Sequence, residues 1–431
     1  MKTYPTYKDS DVNWLGKIPK DWQAIKMKYL FRDVSIKGKP EEELLSVTQN
    51  RGVIPRDWIE ERSVMPSGNL DSFKFIAKGD FAISLRSFQG GLEYCFHDGI
   101  ISPAYTVLKK WKQNIQDNYF KYLFKSISFI SELQTSVVGI RQGKNISFSQ
   151  LSYSLMPLPP KPEQQAIANF LDETCGKLDT VVAQKEKMIA LLKERKQALI
   201  QKAVTRGLNE NVPMKDSGVD WIGEIPKNWE VMKLKFISNS FPSNVDKHSK
   251  PNETEVRLCN YTDVYKNEFI TDNLDLMIAT ATKDQISKFH LKKGDIVITK
   301  DSETASDIAE PAYVSEDLTN VICGYHLAVI QPNEKIIGRY LFRSLQCKLF
   351  NAQFEVESNG ITRVGLGTSD MKKARFLVPA KQEQEKIVNY IDAQSQKLDQ
   401  AVTQQEQAII KLKEYKASLI DSCVLGKIKV S

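Results

Sequence analysis

The stretch KDSDVNWLGKIPKDWQAIKMKYL, residues Lys8–Leu30, decides the fold because a second copy of it occurs later in the chain. The second copy, Lys215–Ile237, is KDSGVDWIGEIPKNWEVMKLKFI. Superposing the copies aligns both tryptophans, the glycine, the Ile-Pro pair and two lysines. Agreement of this kind indicates an internal repeat, and the tryptophans are predicted to pack the entry of each half instead of forming a binding site.

A second pair of segments also repeats. Lys161–Ile200 matches Lys381–Ile420, including an aspartate at Asp172 and Asp392 and a Lys-Leu-Asp triplet in each copy. The 431-residue chain therefore consists of two tandem halves. Each half contains the short motif, then a variable block, then a long helix.

The two variable blocks are predicted to share a framework of short strands and turns. A Lys-Gly-Asp turn precedes an apolar strand in both blocks, at Lys78–Asp80 and Lys293–Asp295. The other matched predictions are one strand and one helix per block: Ile100–Leu108 and Tyr119–Leu133 in the first, and Cys323–Ile330 and Arg339–Phe350 in the second. The loops between these elements differ, which suggests the same task performed on unlike ligands.

The long segments show coiled-coil periodicity. The first helix is predicted from Pro162 to about Thr205, and its apolar residues recur at alternating steps of four and three. Each helix has a single apolar seam and no core of its own, so the two copies are expected to form an antiparallel pair that separates two globular domains. Polar interruptions occur at matched depth, at Lys185 and Lys196 and at Gln405 and Lys416. The predicted seam residues are Leu171, Leu178, Val182, Ile189, Leu192, Leu199, Ile391, Leu398, Val402, Ile409, Leu412 and Leu419.

Composition narrows the class of protein. The net charge is +7 and the hydrophobic share is 41%, which is ordinary for a globular protein and too basic for an acidic mimic of DNA. No apolar run is long enough for a membrane span, so a cytoplasmic location is expected. The six cysteines are scattered and are predicted to be reduced and buried.

Catalytic motifs are missing from the sequence. The four histidines lack metal-site spacing, and the chain contains neither a GxxxxGK[ST] phosphate loop nor a GxGxxG stretch after a strand. Ser102–Tyr105 (SPAY) resembles a methyltransferase base-binding motif, but Cys323–His326 (CGYH) replaces it in the second half and no cofactor loop precedes either copy. We therefore predict no catalytic residue and no metal ligand.

The duplicated entry motif, the helix start PPKPEQQAIANFLD, the segment GIISPAYTVL and the junction RGLNENVPMKDSGVDWIGEIPKNW together resemble the specificity subunit of type I restriction-modification enzymes. The resemblance covers essentially the whole chain. It implies an α+β fold in which two tandem target-recognition domains, of mixed strands and short helices, are joined by two long antiparallel coiled-coil helices with an internal pseudo-two-fold repeat. The implied divisions are a first recognition domain with its entry motif at 1–157, a central spacer helix at 158–206, a linker at 207–214, a second recognition domain at 215–377 and a C-terminal spacer helix at 378–431.

The resemblance also implies a function. The chain would be a non-catalytic subunit that recognises a bipartite double-stranded DNA target and docks two adenine-N6 modification subunits on its spacer helices. S-adenosylmethionine would be bound by those subunits, ATP and Mg by additional restriction subunits, and no cofactor by this chain. The alternatives are a DNA-recognition scaffold of another methylation or defence complex without a nuclease, and a coiled-coil adaptor protein.

Candidate base-contacting residues lie in the unlike loops, because polar side chains on loops can enter a DNA groove. In the first half they are Gln49, Asn50, Arg51, Arg86, Ser87, Gln89, Arg141, Gln142 and Lys144. In the second half they are Asn260, Tyr261, Lys300, Asp301, Ser302, Glu303, Asn359 and Arg363.

Overall fold

A computed structural model describes residues 2–59, 70–112, 114–138, 145–360 and 362–430 of the chain. Its internal contacts divide the chain into two compact units. The first unit comprises Met1–Glu186 and Glu406–Ser431, and the second comprises Lys187–Gln405. Both divisions fall inside long helices, so each unit contains one globular domain, named here a recognition domain after the resemblance, together with a segment from each long helix.

The first recognition domain is built from short strands and helices and leads into the first long helix. Its strands are β1 (Tyr7–Asp9), β2 (Lys17–Pro19), β3 (Gln23–Lys26), β4 (Phe31–Asp33), β5 (Leu45–Thr48), β6 (Gly52–Pro55), β7 (Lys74–Ile76), β8 (Phe81–Ile83), β9 (Glu93–Tyr94), β10 (Gly99–Ile101), β11 (Thr106–Lys110), β12 (Val137–Val138), β13 (Asn145–Ile146) and β14 (Leu155–Leu158). Its helices are α1 (Ser87–Gly90), α2 (Asp117–Leu123), α3 (Ile127–Leu133), α4 (Phe148–Leu151) and the long α5 (Lys161–Arg206).

The second recognition domain follows the same plan and leads into the second long helix. Its strands are β15 (Met214–Asp216), β16 (Glu224–Pro226), β17 (Glu230–Lys233), β18 (Ser238–Pro242), β19 (Thr254–Cys259), β20 (Phe269–Ile270), β21 (Met277–Ala281), β22 (Ile296–Thr299), β23 (Asp301–Ser302), β24 (Pro311–Val314), β25 (Val321–Cys323), β26 (Leu327–Pro332), β27 (Val364–Gly365) and β28 (Arg375–Val378). Its helices are α6 (Leu234–Ile237), α7 (Tyr261–Lys266), α8 (Lys283–Phe289), α9 (Gly338–Leu345), α10 (Lys348–Glu357), α11 (Thr368–Lys373) and the long α12 (Lys381–Val424).

The main sheets of the two domains have the same strand order. The first is β4-β11-β8-β9 and the second is β18-β26-β22-β24, with β20 added in parallel at its edge. In the first domain Val53 of β6 forms a parallel bridge to Cys95 at the equivalent edge. The repeat detected in the flanking motifs therefore extends through the variable blocks.

The Lys-Gly-Asp turns have the same structure in both domains. Asp80 accepts a hydrogen bond from the backbone N–H of Ala77 at 2.8 Å, and Asp295 accepts one from Lys292 at 3.0 Å. The glycine of the turn has a φ of +92° at Gly79 and +97° at Gly294, a left-handed conformation that favours glycine. Each turn leads into an inner strand of its sheet, β8 in the first domain and β22 in the second.

Four predictions about single elements are wrong, two in each domain. The predicted strand Ile100–Leu108 is two strands, β10 and β11, separated by a turn in which the N–H of Tyr105 donates to the carbonyl of Ser102. The predicted helix Tyr119–Leu133 is also two helices, because α2 ends at Leu123 and Ser126 then caps α3 by accepting from the N–H of Phe129. In the second domain the predicted strand Cys323–Ile330 is likewise divided between β25 and β26, and the predicted helix Arg339–Phe350 is divided between α9 and α10.

The long helices run antiparallel within each unit. In the first unit Lys416 of α12 pairs with Asp179 of α5 at 2.6 Å. In the second unit Lys196 of α5 pairs with Asp399 of α12 at 2.8 Å. Both lysines are polar interruptions of the apolar seam, so their charges are matched by an aspartate of the opposite helix.

Burial along the two helices follows the seam periodicity. The residues predicted for the seam are buried or half-buried, whereas most intervening positions are exposed. All six cysteines are buried and free, as the sequence predicts. Within the described part of the chain, no helix is both long and apolar enough to cross a membrane.

The entry motif joins each recognition domain to the start of a long helix. Trp22 is fully buried, and its indole N–H donates to the Glu163 carboxylate at 3.0 Å, while the hydroxyl of Tyr4 donates to the same carboxylate at 2.6 Å. Trp229 is equally buried in the second unit. The tryptophans therefore anchor each domain to its helix.

Candidate nucleic-acid interface

Two candidate loops of the first domain lie in contact. Gln49, Asn50 and Arg51 form the exposed turn between β5 and β6, and the segment Arg86–Gly90 follows β8. A Cβ on Gly90 would lie 2.4 Å from the side-chain nitrogen of Gln49, so only glycine allows this approach without movement of the glutamine. The fold therefore brings Gln49–Arg51 and the exposed side chains of Arg86 and Gln89 to one surface.

Lys125 connects these two loops from the short link between α2 and α3. Its ammonium donates to the carbonyl of Gln49 at 3.0 Å, the carbonyl of Gly90 at 2.9 Å and the carboxylate of Glu93 at 2.6 Å. Burial raises the pKa of Glu93 to about 7, against the opposing effect of the Lys125 charge. Burial also lowers the pKa of Lys125, against the opposing effect of Glu93.

Ser87 does not belong to this surface. Its side chain is only 1% exposed, and its hydroxyl oxygen accepts a hydrogen bond from the backbone N–H of Ser84 at 2.9 Å. The prediction that it contacts bases is corrected, because a small hydroxyl at the first position of α1 is used to close the turn. Arg141, Gln142 and Lys144 lie outside the described residues.

A polar cluster forms in the second domain from three separate stretches of chain. Lys300 pairs with Asp301 at 2.7 Å, and the carboxylate of Asp301 lies 3.1 Å from Nδ1 of His326. Nε2 of His326 lies 3.5 Å from the guanidinium of the exposed Arg363. Pairing of β23 with β27 positions this cluster, because it places Asp301 opposite Gly365, two residues after the arginine.

Other candidates of the second domain flank this cluster. The Tyr261 hydroxyl lies 3.2 Å from the Ser302 hydroxyl, and the Tyr261 ring stacks on that of Tyr265 at a centroid separation of 5.7 Å. Glu303 and Asn359 are exposed at the ends of β23 and of the α10–β27 link. Their backbone positions leave both side chains accessible to a ligand.

Two candidates of the second domain have local structural roles. Ser302 is 6% exposed, and its hydroxyl is shared with Tyr261. Asn260 precedes α7, where its backbone N–H donates to the Asp263 carboxylate at 2.7 Å and its side-chain amide donates to the Leu258 carbonyl at 3.2 Å. The prediction of base contact by Ser302 is corrected, because its hydroxyl is buried, whereas that by the half-buried Asn260 stays a prediction.

Several residues of these surfaces were not predicted from the sequence. In the second domain they are His326 and the adjacent Tyr325, which is 50% exposed with its ring 4.0 Å from that of the histidine. In the first domain Trp58 is 53% exposed and packs edge-on against His97 at 5.0 Å, and its carbonyl accepts a hydrogen bond from Arg51. The signal available in the sequence was an aromatic residue within each polar loop.

Comparison with known proteins gives a consistent result. The family model described as the type I restriction modification DNA specificity domain matches residues 67–189 and 226–411, which is more than half of the chain. The MjaVIII specificity subunit of Methanocaldococcus jannaschii is 22% identical, with 96% of this chain and 94% of that protein covered. The EcoBI specificity subunit of Escherichia coli is also 22% identical, covering 84% of this chain and 76% of that protein.

Solved structures agree on the fold. A chain from a structure of a type I R-M system superposes with a TM-score of 0.70 at 14% identity, covering 95% of this chain and 99% of the other. The HsdS subunit from Thermoanaerobacter tengcongensis gives a TM-score of 0.50 at 15% identity, covering 95% and 98%. With a duplicated recognition domain, paired long helices and a family match in both halves, this chain belongs to the type I restriction-modification DNA specificity family.

Proposed function

We propose that this chain recognises a bipartite DNA sequence, with one half of the target recognised by each domain. The observation that carries the proposal is the combination of one framework with two unlike polar surfaces. The first presents Gln49, Arg51 and Arg86, whereas the second presents Asp301 and Arg363. Arginine pairs best with guanine in the major groove and a carboxylate accepts from cytosine, so unlike surfaces favour unlike sequences.

The chain itself is proposed to be non-catalytic. Two modification subunits would carry S-adenosylmethionine and methylate adenine at N6, and restriction subunits would use ATP and Mg. Such partners could also supply contacts to the DNA phosphates, which fix position without specifying sequence. The net charge of residues 238–376, which is −2, is compatible with this division of roles.

The long helices are the proposed docking site for the modification subunits. Outside the seam, α5 exposes Met188 and Leu191, which are 49% and 50% exposed and lie one helical turn apart. On α12, Ile410 is 56% exposed. Changing Met188 and Leu191 together to glutamate is expected to reduce co-purification with the modification subunit, while the same change at the exposed polar residues Lys187 and Lys193 is not.

Mapping N6-methyladenine in cells that carry the chain and its methylating partner tests the recognition proposal. The expected result is one bipartite motif with a fixed separation between its halves. Replacing residues 31–156 with those of a relative is expected to change one half of the motif and to leave the other unchanged. A change in both halves, or in neither, would contradict the assignment, and methylation without a bipartite motif would favour a scaffold or adaptor role.

A further inference from the structure

We propose that Lys125 is a positioning residue that fixes the Gln49–Arg51 turn relative to the Arg86–Gly90 segment, and thereby determines the sequence preference of the first recognition domain. This inference rests on the proposed function, because the two loops are the candidate base-contacting surface. Lys125 itself would not touch the DNA.

The hydrogen bonds of Lys125 account for all of its donors. An ammonium group has three protons, and the three acceptors are the carbonyls of Gln49 and Gly90 and the carboxylate of Glu93. Because none is left for a phosphate, Lys125 differs from the exposed lysines that supply non-specific affinity for DNA. Two of the three acceptors are backbone atoms, one in each loop, so the lysine constrains the path of the main chain.

Glu93 keeps the ammonium in place. Its side chain is 2% exposed, and among the described residues its second carboxylate oxygen has no hydrogen-bond partner. The buried carboxylate therefore depends on Lys125 for its charge compensation. The pair occupies the space beneath the two loops, where a shift of the lysine would move both of them.

Close packing makes the relative position of the loops sensitive to small changes. Gly91 lies directly against the link that carries Lys125, because a Cβ there would be 2.0 Å from the carbonyl oxygen of Phe124. Gly90 is in similarly close contact with Gln49. Since base contacts require donor and acceptor positions accurate to a few tenths of an ångström, loosening this contact is expected to relax specificity before it abolishes binding.

The second domain provides an internal control. Lys125 comes directly before Ser126, the N-cap of α3. In the second domain the N-cap of α10 is Cys347, so the residue equivalent to Lys125 is Gln346. The side-chain oxygen of Gln346 accepts a hydrogen bond from Arg343 at 2.7 Å, so the second domain has no equivalent lysine at this place. Loss of Lys125 should therefore affect only one half of the target.

The test is to map N6-methyladenine in cells that carry the methylating partner with the full chain as wild type, Lys125→Met or Lys121→Met. Lys121 is the matched control, because its ammonium pairs with Asp172 of α5 at 2.6 Å instead of with a loop. We expect Lys125→Met to lower the preference at the first half of the motif by about tenfold or more, with methylation at near-cognate sites, and to leave the second half unchanged. Lys121→Met should preserve both halves.

A second variant protects the test against misfolding. If Lys125→Met prevents complex formation, the double variant Glu93→Gln/Lys125→Met removes the uncompensated carboxylate and still lacks the bonds to both loops. The proposal is overturned if a variant that assembles with its partner retains the wild-type first half, or if both halves relax equally. Failure of the wild-type chain to specify a bipartite motif would instead contradict the proposed function.

Discussion

At the scale of single residues, the equivalent tryptophans of the two halves differ in the hydrogen bonding of their indole N–H groups. Trp22 and Trp229 are both fully buried. The first donates to Glu163, whereas the indole N–H of Trp229 has no acceptor among the described residues. The equivalent carboxylate, Glu383, instead accepts from the side chain of Asn228 at 3.2 Å.

The change of each tryptophan to phenylalanine should therefore have unequal effects. Both variants lose packing volume, but Trp22→Phe also loses a hydrogen bond to a charged group, which contributes about 1.5–3 kcal/mol. Trp229→Phe removes a buried unpaired donor, which offsets part of its packing loss. We expect a larger fall in the free energy of local opening for Trp22→Phe, measured by native-state hydrogen exchange in each domain. Equal losses would show that the Glu163 contact contributes nothing.

The raised pKa of Glu93 predicts a pH dependence of stability that is confined to the first unit. Its pKa is raised by burial to about 7, above the ordinary carboxyl value of about 4.3. A raised pKa in the folded state stabilises the fold below the unfolded-state pKa, and this contribution is lost as the pH rises through about 7. We expect hydrogen-exchange protection of β8 and β9 to fall between pH 5 and pH 8 and Glu93→Gln to remove most of that fall, after correction for the intrinsic exchange rate. A slope that persists in the variant would assign the effect to another group.

At the scale of elements, regular patterns were predictable and local interruptions were not. The helix bounds, the seam and the Lys-Gly-Asp turns follow from periodicity and from residue types with few conformational choices. The breaks at Ser126 and after Ile101 depend on single capping and turn hydrogen bonds that interrupt an otherwise apolar pattern. The contact between the two polar loops of the first domain could not be predicted from the sequence, because residues 49, 90 and 125 meet only through tertiary contacts. The burial of Ser87 and Ser302 could not be predicted either, since nothing in the local sequence distinguishes them from exposed serines.

The two lysines within the helix seam should contribute unequally to stability. Lys196 has a side chain 16% exposed and bridges Asp399 and Glu268, whereas Lys416 is 30% exposed and pairs with Asp179. Burial tends to raise the pKa of Glu268, but the charges of Arg343 and Lys196 outweigh it and leave this pKa below its ordinary value.

We expect Lys196→Met to lower the free energy of unfolding of the second unit by roughly 1–3 kcal/mol, because it leaves carboxylates partly buried with less compensation. Lys416→Met should lower that of the first unit by less than about 1 kcal/mol. Urea titrations followed by hydrogen exchange in each unit would measure both values. A larger effect for Lys416→Met would contradict the ranking.

At the scale of the whole molecule, the first recognition domain is completed by residues from the opposite end of the chain. Leu419, Cys423 and Val424 of α12 belong to its core. The Tyr119 hydroxyl donates to the carbonyl of Val424 at 2.9 Å, and the backbone N–H of Lys429 donates to the carbonyl of Lys2 in an antiparallel β-bridge. The first compact unit therefore combines residues from both ends of the sequence. The second core is built in the same way, because the end of α5 supplies Ile200 and Val204 to it.

Removal of residues 406–431 should therefore destabilise the N-terminal domain more than the second domain, although the second lies nearer in sequence. The deletion removes five buried side chains from the first core, at positions 419, 420, 423, 424 and 425. The four aliphatic side chains among them contribute about 1.5–3 kcal/mol each, so their loss approaches the whole free energy of unfolding of a typical domain. The second core keeps Ile387, Val388 and Ile391 of α12.

Limited proteolysis with mass spectrometry should show early cleavage within 1–160 and protection of 215–377, while a shorter deletion of 427–431 should leave the first domain protected. Early cleavage in the second domain alone would mean that the C-terminal helix does not complete the first core.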